Sequence, residues 1–364
     1  MINKYLILII SIFASICIYP QGISSENQNR SSLRIIPFYQ NWQGSDNTKI
    51  EQYSSKLLVN YYLGREIRVS LQSGYASSKA LDNKLNGVSD MQLSINYKLR
   101  KFNTAFNAGI NLPAGKEGID DEKFPSSVLL CQDVFGIKIP LLGQGTNIFA
   151  GVIWAKEIID NLAFGVGASY QIKGKYKPIS GENTIYKPSN ELLLSGGVDF
   201  RASKTATLSG DVIGIFYGKD KLNNAPAFSA GTRTIFSLIF RQYYGYNNLV
   251  VFLRYRQSAV DELMNVENII STEKINPNSF MSLINFRHYL SRYLSLYYSV
   301  EGRFYQKTAA PFSGYKVFGV GISPDIALSS NIKLPITLKY YAGNSKGLPS
   351  IHGFESGLGL SIIF

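Results

Sequence analysis

The sequence is poor in cysteine, histidine and charge. With two Cys and two His in 364 residues, a disulfide framework is excluded, and no C-x-x-C or H-x-x-x-H spacing is available for a metal or redox centre. Charged residues make up 17% of the chain, against about 25% in an average soluble domain, so it lacks the high charge of a disordered chain. Beyond residue 20 no apolar run approaches the ~18 residues of a spanning helix, which excludes a multi-helix membrane protein. The net charge of +12 raises nucleic acid as a partner. No helix-turn-helix, zinc or stacking motif accompanies it, and export, argued next, removes the opportunity. Glycine (32), tyrosine (24) and phenylalanine (21) are the abundant types.

Lys4 precedes an apolar run from Tyr5 to Tyr19 that Pro20 breaks. A basic start followed by such a run is the layout of a secretory signal peptide, so residues 1–22 are expected to be a leader and 23–364 a single barrel domain. The alternative is one uncleaved anchor helix. Cys17 lacks the flanking Leu and small residue of a lipidation site. With the leader gone only Cys131 remains, and no intramolecular disulfide is possible.

The strongest signal is period two. Met91, Leu93, Ile95, Tyr97 and Leu99 alternate with Asp90, Gln92, Ser94, Asn96 and Lys98; Leu162–Ile172 and Ile332–Tyr341 alternate likewise. A soluble sandwich would also alternate, with its apolar face inward. Three features favour a transmembrane barrel instead. The segments run about ten residues, enough to cross a bilayer when tilted. Aromatics gather at segment ends, as in Tyr61-Tyr62, Tyr243-Tyr244 and Tyr340-Tyr341, like the girdles of outer-membrane barrels. The chain ends with Leu358, Leu360, Ile362 and Phe364 on one face. That ending resembles the closing strand of bacterial outer-membrane barrels, whose terminal Phe belongs to the signal read by the barrel-assembly machinery.

The expected fold is therefore all-β: a transmembrane antiparallel up-and-down β-barrel of about 16 strands, in a range of 14–18. Short periplasmic turns should alternate with longer external stretches. The latter are read as Gly44–Ile50, Ala76–Gly87, Pro113–Pro125, Lys173–Asn190, Lys219–Pro226, Ala259–Asn278, Gln306–Gly314 and Gly343–Gly353. Ser126–Thr146 is either an extra strand pair or a loop folded into the pore.

A closed sheet of this size encloses a wet lumen, where inward polar residues are tolerated. The register points Lys56, Arg68, Arg254, Arg256, Arg303 and Lys339 inward as candidate selectivity residues, with Asp90, Lys98, Asp199, Asp211 and Glu301. A cationic lumen concentrates anions. The plainer reading is a solvated wall, or lysines and arginines that bind lipopolysaccharide phosphates at the rim. Ser350, His352 and Glu355 form the sole candidate constellation for a barrel lipid hydrolase, and a solvated loop histidine is the ordinary alternative. Asp120-Asp121-Glu122 lacks the Gly and spaced oxygens of a calcium loop. No cofactor is expected.

Gly87-Val88-Ser89-Asp90, then Tyr97-Lys98-Leu99, then Leu112-Pro113-Ala114-Gly115 resembles a phrase of the meta-pathway phenol degradation-like family of outer-membrane transporters. This chain departs from it at Ser89 and Ala114. The resemblance implies a barrel that passes small hydrophobic compounds, and it assigns no binding residue. The functional expectation is an outer-membrane channel passing small hydrophobic or anionic solutes passively. Its partners would be the bilayer, lipopolysaccharide, the assembly machinery and the solutes themselves. A structural or surface-display barrel without transport is the alternative.

Overall fold

The computed structural model describes residues 30–265, 268–308 and 312–364. The expected leader, residues 1–22, lies outside the described residues. Among those described, sixteen strands close into an antiparallel barrel. In chain order they are β1 Ser32–Gly44, β2 Lys49–Leu63, β3 Ile67–Ala80, and β4, which comprises Asn83–Val88 and Met91–Leu99. Next come β5 Thr104–Leu112, β6 Asn147–Ile159, β7 Leu162–Lys173 and β8 Glu191–Arg201. Then follow β9 Ala206–Tyr217, β10 Arg233–Tyr244, β11 Asn247–Ser258 and β12 Ser279–Ser291. The last four are β13 Leu294–Tyr305, β14 Lys316–Ala327, β15 Ile332–Ser345, and β16, which comprises Leu348–Leu358 and Leu360–Ile363. The barrel closes where β16 pairs with β1, Phe38 opposite Gly357 and Leu33 opposite Ile362. Closure leaves no sheet edge, the condition for strands to cross hydrocarbon.

Alternation now acquires directions. Leu238, Val300 and Val320 are exposed on the outside, whereas Gln52 and Ala76, on the opposite face of their strands, are fully buried. Outward aromatics form two belts: Tyr53, Tyr75, Tyr170, Tyr255 and Tyr340 toward one end, Tyr61, Tyr97, Tyr246 and Tyr293 toward the other. Tyr39 and Tyr53, paired across β1 and β2, pack with centroids 4.7 Å apart and their planes tilted by 38°. The terminal Leu358, Leu360, Ile362 and Phe364 share the outward face: Leu360 and Ile362 lie opposite outward Ile35 and Leu33, and Phe364 is exposed. The break in β16 falls at Gly359, whose partner position is Pro335. Proline has no N–H to give the ladder, and the register resumes unshifted at Leu360.

Three of the expected external stretches are corrected. Ala76–Gly87 and Gly343–Gly353 are mostly strand, joined by tight turns at Leu81-Asp82 and Lys346-Gly347. Gly44–Ile50 is strand at both ends around a turn. These hairpins continue above the outward apolar band, where the outer face meets water and the inner face, much of it Ala, Ser and Gly, is buried against other parts of the chain, so the apolar contrast between the two faces is weak. Lys219–Pro226 and Ala259–Asn278 also contain strands. Together with Tyr186–Lys187 they build a separate five-stranded sheet above β8–β12.

Candidate functional site

Ser126–Thr146 is not an extra strand pair. The connection between β5 and β6 turns back into the barrel and carries one short helix, α1 Phe124–Leu130, with Pro125 in its first turn. Its apolar side chains explain the fold of the segment, because they are buried against inward residues of the wall. Leu129, Leu130, Val134, Phe135 and Ile137 form one core with Trp42, Ile50, Tyr315, Val317, Tyr341 and Ile351. Trp42 lies between Phe135 at 5.6 Å and Tyr341 at 5.4 Å. Ile139 and Leu142 pack on Ala76. Small residues make room: a Cβ on Gly74 would sit 2.5 Å from Ile139 Cδ1, and one on Gly353 would meet Trp42 at 2.7 Å.

Two inward glutamines satisfy the buried backbone of the segment. The Gln52 amide donates to Ile139 O at 2.9 Å and accepts from Ile139 N at 3.1 Å. Gln40, its neighbour across β1 and β2, donates to Gly136 O at 3.1 Å and accepts from Lys138 N at 2.8 Å. Each glutamine thus mimics a strand neighbour, and buried amide groups that would otherwise cost free energy are paired. Between these contacts Gly136 adopts φ +55°, and a Cβ there would meet Arg303 Nη1 at 2.6 Å.

Charge completes the latch. Lys138 Nζ lies 3.0 Å from Glu355 with both side chains buried, and 5.1 Å from the Phe38 ring centroid. Glu301 takes Arg303 Nε at 2.5 Å and Lys339 Nζ at 3.6 Å, and Arg303 Nη1 donates to Val134 O at 3.4 Å. From the far wall Arg256 reaches Asp133 at 2.6 Å. At the mouth of the insertion the Asp90 carboxylate accepts from Gly115 N at 3.1 Å and Gln144 N at 2.6 Å. It therefore ties the two ends of the inserted segment to β4.

All six sequence-derived lumen cations lie on the inward face, and the structure divides them. Arg303, Lys339 and Arg256 belong to the ion pairs around the segment. Lys56 faces Ile36 on the inner wall. Arg68 sits opposite Asn96, close to Lys98 in charge. Arg254 stacks on Phe252 at 4.9 Å, and among the described residues it closes no ion pair. It shares the β8–β11 wall with Asp199, Asp211 and Arg241. The sequence reading missed an inward apolar patch on this wall, where Leu193, Ile213 and Ile215 are buried with Tyr217 and Ile235 beside them. Arg233 and Arg256 border it, opposite Ile215 and Ile235 in the register. Its one sequence signal is the run Asp211-Val212-Ile213-Gly214-Ile215, apolar on both phases.

The hydrolase constellation does not assemble. His352 lies on strand β16, in the register opposite Gln43, and its Nδ1 is 2.9 Å from the Tyr340 hydroxyl on the outside. Glu355 points inward at Lys138, and Ser350 N donates to Ser45 Oγ. Odd and even positions of one strand face opposite sides of the wall. In the inserted segment Asp120 pairs with Lys123 at 2.5 Å, which holds its carboxyl below the usual range. Cys131, the exposed residue that caps the C-terminal end of α1, has its thiol pushed up to about 11 by the desolvating protein around it and then by Asp133.

No protein-family model matches this chain, and no curated protein does. Solved structures match it in shape. A bacterial polysaccharide outer membrane secretin aligns at TM-score 0.50 and 13% identity over 93% of this chain and 99% of that one. CdiB from Acinetobacter baumannii aligns at 0.50 and 10% identity over 90% of this chain, which spans 60% of CdiB. OprD from Pseudomonas aeruginosa aligns at 0.44 and 9% identity, covering 93% and 97%. At these identities the likeness concerns architecture alone: the chain has the fold of bacterial outer-membrane β-barrels.

Proposed function

We propose that this barrel is an outer-membrane channel through which small solutes with an apolar body and a negative charge diffuse passively. The observation that carries the reading is the one-sided seating of the inserted segment. It is bonded mainly into β1–β4 and β13–β16 and reaches the opposite wall through the Asp133–Arg256 pair, while that β8–β11 wall presents an apolar patch with Arg233 and Arg254 beside it. An apolar surface beside guanidinium groups offers an amphipathic anion both of the contacts it needs. The resemblance around Gly87–Gly115 supports passage of small hydrophobic compounds in particular. The segment is the constriction: it fills the half of the lumen against which its core packs.

The test is a deletion. Replacing residues 120–142 by a short Gly/Ser linker should raise single-channel conductance in planar bilayers several-fold, with anion preference retained. Conductance that does not change on deletion removes the constriction. A barrel silent both with and without the segment is a structural scaffold rather than a channel.

A further inference from the structure

The outer rim of the barrel above β7–β9 carries a crevice of about 410 Å³ that the lumen does not use. Its lower lining is outward and apolar. Leu192 stands in the register between Tyr170 and Phe216, and all three are exposed on the lipid side of the wall. Its upper lining is cationic: Lys187, Lys219 and Lys221 overhang these side chains from the small external sheet.

Two features set this arrangement apart from a solvated basic edge. Lys187 and Lys221 are direct cross-strand partners, a placement of like charges that destabilises a sheet unless an anion offsets it. The one acidic residue of the Lys219–Leu222 strand, Asp220, is turned away and buried. Its carboxylate accepts from the Tyr186 hydroxyl and from Ser189 N at 2.7 Å. The lysines therefore face the crevice without the carboxylate that lies between two of them in sequence.

We propose that this crevice binds a phosphorylated glycolipid of the outer leaflet, its phosphates on Lys187, Lys219 and Lys221 and its acyl chains against Tyr170, Leu192 and Phe216. Cations at the membrane surface above an apolar wall match the two halves of such a lipid, charge above and hydrocarbon below. The proposal rests on the membrane placement of the barrel and not on solute passage, so the two readings fail separately.

The experiment uses the full chain purified in detergent, incubated with bis-phosphorylated lipid A or with the same lipid stripped of both phosphates. Native mass spectrometry reads the retained lipid. The K187Q/K219Q/K221Q variant should retain the phosphorylated lipid about tenfold less than wild type, while its conductance stays that of wild type. Heat-modifiable migration on a denaturing gel establishes that the variant is folded. The K101Q/K204Q variant, altered at the opposite end of the barrel, should retain lipid like wild type. Equal retention by wild type and the triple variant overturns the proposal. So does equal retention of the phosphate-free lipid by wild type, which would make the contact purely apolar. Displacement by inorganic phosphate as readily as by the lipid would leave an anion site without acyl contacts, and overturns it also.

Discussion

Arg254 and Arg256 project to the same side of β11 two residues apart, yet their partners separate their roles. Arg256 is spent on Asp133 of the inserted segment. Arg254 leans on Phe252 and leaves its charge to the lumen. Arg254→Ser should lower anion-over-cation preference, read as a shift in reversal potential under a salt gradient, with conductance little changed. Arg256→Ser should raise conductance or add current flicker, because it frees one tie of the segment; identical effects of the two substitutions would refute this division. Cys131 supplies a pH-dependent probe of the same region. Only the thiolate is alkylated, and the desolvating surroundings of Cys131 together with the Asp133 charge favour the neutral thiol. With the thiol held near 11, the iodoacetamide labelling rate should rise about tenfold per pH unit from pH 7 to pH 10. Cys131→Ser gives the background, and a plateau at pH 8 to 9 would show an ordinary solvated thiol.

At the scale of elements, the inserted segment is a small core stored inside a barrel, and Asp90 closes its neck. Hydrogen bonds to a charged acceptor contribute about 1.5–3 kcal/mol each, toward the lower end at a partly exposed site such as this one. Asp90→Ala should therefore expose residues 113–146 to external protease at least several-fold faster while the barrel stays heat-modifiable. Unchanged cleavage would make the two bonds incidental. The same scale shows what was legible beforehand. Alternation placed Lys56, Arg68, Arg254, Arg256, Arg303 and Lys339 on the inner face, because lipid outside and water inside impose period two wherever a strand crosses the membrane. Above the membrane the outer face is solvated and the buried inner face carries Ala76, Ser78 and Ala80, too small to mark a period, so Ala76–Gly87, rich in Ser, Lys and Asn, reads as loop although it is paired strand. Its turn residues Leu81 and Asp82 have φ of +48° and +62°, without the Asn-Gly signal that would announce a hairpin. Ser126–Thr146 read as an extra strand pair or a loop folded into the pore, and Gln40 and Gln52 were two polar inward residues among many. Their role depends on a partner about ninety residues away in sequence, which spacing cannot reveal.

The whole molecule obeys an inverted rule, with its larger apolar surface outside and its polar groups and a small second core inside. Neighbouring residues of β10 test this directly. Leu238 faces outward near the middle of its strand, between Gly210 and Leu253 in the register, and Ser237 faces inward between Asp211 and Arg254. A lysine on the lipid face near the bilayer midplane costs about 2–4 kcal/mol, because the ammonium must leave water or drag water after it. Leu238→Lys should lower the unfolding free energy in vesicles by that amount, measured by reversible denaturant titration of tryptophan emission. Ser237→Lys places the same charge in the lumen beside Asp211 and should cost less than about 1 kcal/mol. A soluble sandwich predicts the same order, since there Leu238 would occupy the buried face and Ser237 the solvated one, so the medium is what separates the two architectures. Its Leu238→Lys protein would lose its core in detergent-free buffer, and its Ser237→Lys protein would fold there unchanged. A larger cost at Leu238 than at Ser237, in a protein that folds in lipid and not in detergent-free buffer, therefore shows that the apolar face is the one turned to lipid.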